Sequence, residues 1–207
     1  MRLYSILMVT VALVLPTLVG CSSSPTRLYV LSADAEKSGT ASGQAIGIGP
    51  VTLPKYLDRP QIVTRVASNS LSQGDFDQWG GDLNDNITRV LAMNLANLLG
   101  TDRVSLYPWK DPTVVGYQVT LDITQFEQDA SGGAALDVFW SLIDPSSGKI
   151  LLMRRSTYQE NGASGASGGS SDTARAEAHG AAAAAMSRDL AALSRDIAAA
   201  IRQQRAS

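Results

Sequence analysis

One cysteine and one histidine are all the chain holds of the two residue types that most often carry nucleophilic, acid–base or metal chemistry. Cys21 has no second thiol to pair with, so no disulfide braces the fold and the body must stand on its own apolar core. His179 sits in an alanine-rich stretch near the C-terminus, and no spacing of His, Cys and carboxylates reads as a metal site. The one Gly-x-Ser-x-Gly match, Gly165 to Gly169, falls in a low-complexity run without the strand-to-helix setting that presents a serine nucleophile. No Walker A loop is present either, so any ATP hydrolysis belongs to a partner. The glycine-rich run GASGASGGSS lacks the lysine and the strand-to-helix setting that phosphates need. No lysine- or arginine-rich run occurs and the formal net charge is −2, which argues against a nucleic-acid partner. Without a positioned acid–base pair, no enzymatic activity, cofactor or metal is expected.

The single cysteine gains meaning from what precedes it. Arg2 supplies a positive start, and Leu3 to Leu18 form an uncharged apolar run interrupted at Pro16. The run is short for a spanning helix and ends in small residues, as a cleaved signal peptide does. Leu18-Val19-Gly20-Cys21 resembles a bacterial lipobox, in which the cysteine becomes the first mature residue and carries S-diacylglycerol and N-acyl chains. Each buried methylene contributes roughly 0.8 kcal/mol to anchoring, so several chains on Cys21 would hold the protein stably at a membrane. Ser22 resembles the outer-membrane sorting signal rather than the inner-membrane one. The expected division is a lipoprotein signal peptide over 1–20, a lipidated N-terminus with a short strand and flexible linker over 21–44, and one folded domain over 45–205.

Beyond the leader, composition and periodicity alternate between strand and helix. Arg27 to Leu31 reads as a first strand, and Ser32 to Gln44 as a Ser/Gly/Ala-rich loop. Gly47, Gly49 and Pro50 break an otherwise strand-like run, which points to an edge, a bulge or a bend. Gln61 to Val66 has strong β composition, and Asn69 to Phe76 reads as a short strand. Leu83, Ile87, Val90, Leu91, Leu95 and Leu98 form one stripe of a helix capped by Asp82 and stopped by Gly100. After a short strand at Val104 to Tyr107, Tyr117 to Phe126 alternates with Tyr117, Val119, Leu121 and Ile123 on one side. Ala135 to Ile143 and Lys149 to Tyr158 flank Asp144-Pro145-Ser146-Ser147-Gly148, a hairpin pattern. Trp140 neighbours Phe139, so one of the two is expected to face outward or into a second layer. Asn161 to Asp172 is low-complexity and expected to be flexible. Thr173 to Arg205 reads as a long amphipathic helix with Met186, Leu190, Leu193, Ile197 and Ile201 on its apolar stripe. Arg188, Arg195 and Arg202 recur every seventh residue, which leaves a helix–helix contact with another subunit as the alternative to packing on the sheet. The fold class is α/β: a mixed sheet with one amphipathic helix after the early strands and a long C-terminal helix.

Leu53 to Arg65, LPKYLDRPQIVTR, resembles the signature of the PqiC-like family of ABC-type transport auxiliary lipoproteins. Trp79 before the helix ending at Gly100, the strand VSLYPW from Val104 to Trp109, and the early Leu28-Tyr29-Val30-Leu31 resemble the same family. At Gly80-Gly81-Asp82 the chain departs from the family's frequent Ala-Glu-Pro, so no role for that glutamate carries over. The resemblance implies a non-catalytic outer-membrane lipoprotein, anchored on the periplasmic face, in a system that moves lipids between the two membranes and supports envelope integrity. It implies an MCE-domain (PqiB-like) partner crossing the periplasm, an inner-membrane transport component and a possible homo-oligomer. The alternative is a structural envelope lipoprotein binding peptidoglycan or an outer-membrane protein.

Pro54 and Pro60 fix their own φ and push Leu53 and Arg59 away from helix, so the segment between them is pre-shaped. Such a segment serves as a structural corner or as a rigid contact loop. The candidate partner-binding residues are therefore Leu53, Pro54, Tyr56, Leu57, Arg59 and Pro60, with Trp79 and Trp109 added because tryptophan is enriched both in cores and at interfaces.

Overall fold

In the computed structural model the described residues are 25–37, 43, 45–109, 111, 115–162 and 172–206. The apolar leader, Cys21 and most of the 161–172 run lie outside them. Chain order is β1 (Arg27–Tyr29), β2 (Ile46–Thr52), β3 (Gln61–Ala67), β4 (Ser70–Trp79), α1 (Leu83–Leu99), β5 (Val104–Leu106), β6 (Tyr117–Asp129), β7 (Ala134–Asp144), β8 (Lys149–Glu160) and α2 (Asp172–Ala206).

The thirteen-residue β6 is the spine of one curled, mixed, eight-stranded sheet. Its first half pairs in parallel with β2, which pairs in parallel with β5. Its last residues, Gln128 and Asp129, pair with β3, which leads to antiparallel β4 and then parallel β1. Antiparallel β7 and β8 complete the other flank. The breakers in β2 produce a register shift between Ile48 and Val51, the bulge or bend the composition predicts. β4 runs three residues further than expected, to Trp79, because Trp79 N–H donates to Pro60 O at 2.7 Å.

Helix α1 covers β2 and β5, and α2 lies on β6, β7 and β8 and against α1. The expected stripe on α1 is buried, with Leu99 rather than Leu98 completing it and the polar Asn94 inside it. All five stripe residues of α2 are buried against this core. Between the helices and the sheet sit Ile46, Ile48, Val119, Leu121, Ile123, Leu136, Val138, Trp140 and Leu142. Trp140 is buried and its Nε1–H donates to Ser156 Oγ at 3.0 Å, whereas Phe139 faces outward beneath the Arg155 guanidinium. Asp82 caps α1 by accepting from Asp85 N–H at 3.0 Å, and Gly100 closes it in the left-handed conformation.

Residues 31–37 follow β1 as an irregular strap pinned to both helices. Ser32 N–H donates to Ser187 Oγ, Asp34 and Ala35 N–H both donate to Asn94 Oδ1, and Asn97 Nδ2 donates to Ala35 O, all at 3.1 Å. Among the described residues no helix is long and apolar enough to cross a membrane.

Candidate functional site

The segment from Leu53 to Pro60 folds back on itself. Leu57 N–H donates to Pro54 O and Arg59 N–H to Leu57 O, each at 2.9 Å, and Pro60 O receives Trp79 N–H. Its side chains then part in two directions. Tyr56 turns to the sheet, where its hydroxyl donates to Glu127 Oε2 at 2.8 Å while Arg65 Nε–H donates to Glu127 Oε1 at 2.5 Å. Glu127 is 1 % exposed, so this triad is the anchor that seats the corner. Burial, then the bond to Glu127, pushes the Tyr56 phenol up to about 12. Leu57 is buried in the core.

Arg59 turns the other way. With Leu53, Leu57 and Pro60 from the corner and Gly81, Asp82 and Leu83 from the entry to α1, it lines a notch of about 290 Å³. Its Nε is enclosed and has no hydrogen-bond partner. None of the ion pairs among the described residues includes it. Gly81 has φ +144°, a conformation that L side chains rarely adopt, so the Gly80-Gly81 pair makes the sharp entry that brings Asp82 and Leu83 to the notch. Asn84 Nδ2 donates to Val51 O at 2.7 Å and ties the helix start to β2.

The tryptophans sit apart. Trp79 is 5 % exposed and belongs to the core, contributing to the notch only through its backbone bond to Pro60. Trp109 is half-buried at the β2–β5 edge, where a Cβ on Gly47 would come within 2.8 Å of its ring. It meets Tyr107 edge-on at 5.4 Å and 87°. Tyr107 and Leu106 are exposed and line a second recess of about 380 Å³ that shares Asn84 with the first. Sequence reasoning missed these two; the only signal was their place before Pro108 in VSLYPW. The structure thus brings Leu53, Leu57, Arg59 and Pro60 together at the start of α1, with Pro54 half-buried behind them, and leaves Trp109 at a neighbouring edge.

A separate polar cluster ties β1 and β4 to α2. Arg27 grips Asp77 through Nε and Nη2 at 2.7 and 2.9 Å, and Tyr29 donates to the same carboxylate at 2.8 Å. Burial works to raise the Asp77 carboxyl, but these donors outweigh it and hold it below its usual range. His179 Nδ1 lies 2.9 Å from Gln128 Oε1, and Nε2 faces Asp77 Oδ2 at 3.7 Å. Burial holds this imidazole below its usual pKa despite the pull of Asp77. Its geometry is that of a brace between elements. Among the described residues no three His, Cys, Asp or Glu side chains group as a metal would need.

A mixed eight-stranded sheet with two helices on it, bearing a proline-bracketed corner beside the start of the first helix, defines a small single-domain α/β protein. The chain belongs to the ABC-type transport auxiliary lipoprotein component family, whose model matches residues 29–198. No curated protein matches it. Among solved structures it is similar to protein XCC0632 from Xanthomonas campestris, at 15 % identity and a TM-score of 0.64, covering 87 % of this chain and 100 % of that one. It is also similar to an uncharacterized protein at 16 % identity and a TM-score of 0.59, covering 84 % and 99 %. At these identities the likeness concerns the fold.

Proposed function

We propose that this chain is a non-catalytic lipoprotein, acylated at Cys21 and held on the periplasmic face of the outer membrane, that docks a periplasm-spanning MCE-domain protein of an intermembrane lipid transport system. The docking surface is the notch built by Leu53, Leu57, Pro60 and Arg59 at the start of α1. One observation carries this reading: Arg59 lines a notch of mixed apolar and polar side chains with an enclosed Nε that, among the described residues, has no hydrogen-bond partner. A cation partly removed from water without a partner is costly, and a pre-shaped loop that supplies one to an incoming chain loses little entropy on binding. Tyr56, Glu127 and Arg65 hold the loop in that shape.

The test is photocrosslinking in intact cells from Asp58, an exposed neighbour of Arg59. Crosslinks to an MCE-type protein are expected from Asp58 and not from Met153 on β8. Arg59→Glu should abolish that crosslink and raise sensitivity to membrane-damaging agents without shifting the thermal midpoint. Crosslinks from Asp58 to other classes of protein alone would sink the reading.

A further inference from the structure

We propose that Leu28 on the outward side of β1 and Val30 just after the strand form a second membrane contact, seated at the headgroup–acyl boundary of the bilayer that the Cys21 lipid enters. This rests on the acylation of Cys21 proposed above.

β1 has two unlike sides. Arg27 and Tyr29 turn inward onto Asp77, while Leu28 and Val30 turn outward and are 67 % and 62 % exposed. β1 has β4 on one edge and, among the described residues, no strand on the other. Strand edges that face water are usually protected by charge, proline or a bulge; here the outward positions are aliphatic. The register partner of Leu28 is Gln78, and beside Val30 lies Gly80, where a Cβ would sit 3.0 Å from Val30 Cγ1. The Arg27 head is turned away, held by Asp77 and by the carbonyl of Asp172. Neither Gln78 nor Gly80 brings a full charge that would have to leave water at an apolar phase.

Chain length selects the bilayer as the occupant. Arg27 follows Cys21 by six residues, so the two stay within roughly 20 Å of one another along any path. Leu28 and Val30 come directly after. Acyl chains on Cys21 would therefore keep the strip at a high effective concentration over the membrane surface, and a small apolar area that could not recruit a free protein suffices to orient a tethered one. Among the other exposed apolar side chains, Phe139 and Met153 lie on β7 and β8 and have no such tether. The orientation also bears on docking. Val30 adjoins Gly80 and the Arg59 notch is lined by Gly81, so the notch lies close to the strip. A partner reaching it arrives at the bilayer surface, where a protein that crosses the periplasm ends.

The test uses the full lipidated chain carrying Leu28→Cys, Val30→Cys or Met153→Cys, each labelled with an environment-sensitive fluorophore, in vesicles of phosphatidylethanolamine and phosphatidylglycerol at low protein density. The diacylglycerol blocks the native thiol. Probes at positions 28 and 30 should shift to the blue and be quenched by nitroxide-labelled lipid severalfold more than the probe at 153, independently of protein density. Quenching by aqueous iodide equal to that at 153, with none from nitroxide lipid, overturns the proposal. A blue shift that appears only at high protein density also overturns it, because a second copy then covers the strip. Mass analysis of the N-terminal peptide and vesicle flotation separate the two readings. An acylated, floating chain with wet probes removes this proposal alone, and a chain without acyl groups removes both.

Discussion

Two side chains show how much of this molecule turns on single polar groups in apolar company. Asn94 sits on the buried stripe of α1 with 0 % exposure, and its one carbonyl receives the amides of Asp34 and Ala35. Asn94→Ala should cost about 1–3 kcal/mol, since it leaves two enclosed donors unmade. Hydrogen exchange at Asp34 and Ala35 should rise while exchange in β7 stays unchanged; equal acceleration at both would show that the strap does not depend on this clamp. Asp189 faces inward from α2, fully enclosed, with both carboxylate oxygens unpartnered. Burial, reinforced by Glu160 and opposed by Arg188, pushes its carboxyl up to about 7. The native state therefore holds this proton more tightly than the unfolded chain. Its contribution to stability falls as pH climbs from about 4 to about 7 and is flat beyond. Asp189→Asn should remove that decline, which the shift bounds at about 4 kcal/mol. Denaturant midpoints at about pH 4.5 and about pH 7.5 measure it, and parallel profiles for both proteins would refute it.

At the scale of elements, the entry to α1 concentrates several constraints in few residues. Gly81 supplies the positive φ, Asp82 the cap, Asn84 the tie to β2 and Leu83 the floor of the notch. Asp82→Ala should cost about 1 kcal/mol through the lost cap. Because the cap and the notch share residues, it should also weaken partner crosslinking from Asp58 more than an equally destabilising change in α2, such as Ala198→Gly. Equal losses would separate helix entry from docking. The corner before it is similarly composite: Tyr56 turns to the sheet, Leu57 is shared by core and notch, and Arg59 lines the notch. The corner reading of LPKYLDRP rests on Tyr56 and Leu57, and the proposed contact rests on Arg59.

For the whole molecule, the family match places an auxiliary lipoprotein in an ABC-type transport system, and the proposals concern how it is held and what it meets. Cys21→Ser should release the protein from the membrane fraction or stall its processing. Normal maturation with continued outer-membrane fractionation would contradict the anchor. The proposed tether at Cys21, the apolar strip after it and the adjoining notch would together give the body a defined membrane side.

Much of the architecture was legible in local patterns, because periodicity follows directly from which face of an element is dry. The stripe of α1, its cap and its glycine stop, the alternation in β6, the β7–β8 hairpin and the outward turn of Phe139 all obey that rule. Asn94 and Asp189 were not legible, since a polar residue reads as solvent-facing until its neighbours are known. Nor was the split of the proline-bracketed corner: Glu127 lies far along the chain from Tyr56, and only the meeting of β3 with the end of β6 brings the two together. The exposure of Leu28 and Val30 belongs to the same class, for an aliphatic pair in a short strand looks like core wherever it occurs. Residue types and their spacing thus dictate what each segment can form, through sterics and the side that must be dry. Which groups are left without a partner depends on contacts between segments distant in the chain, and those are set when the sheet curls and the helices close over it.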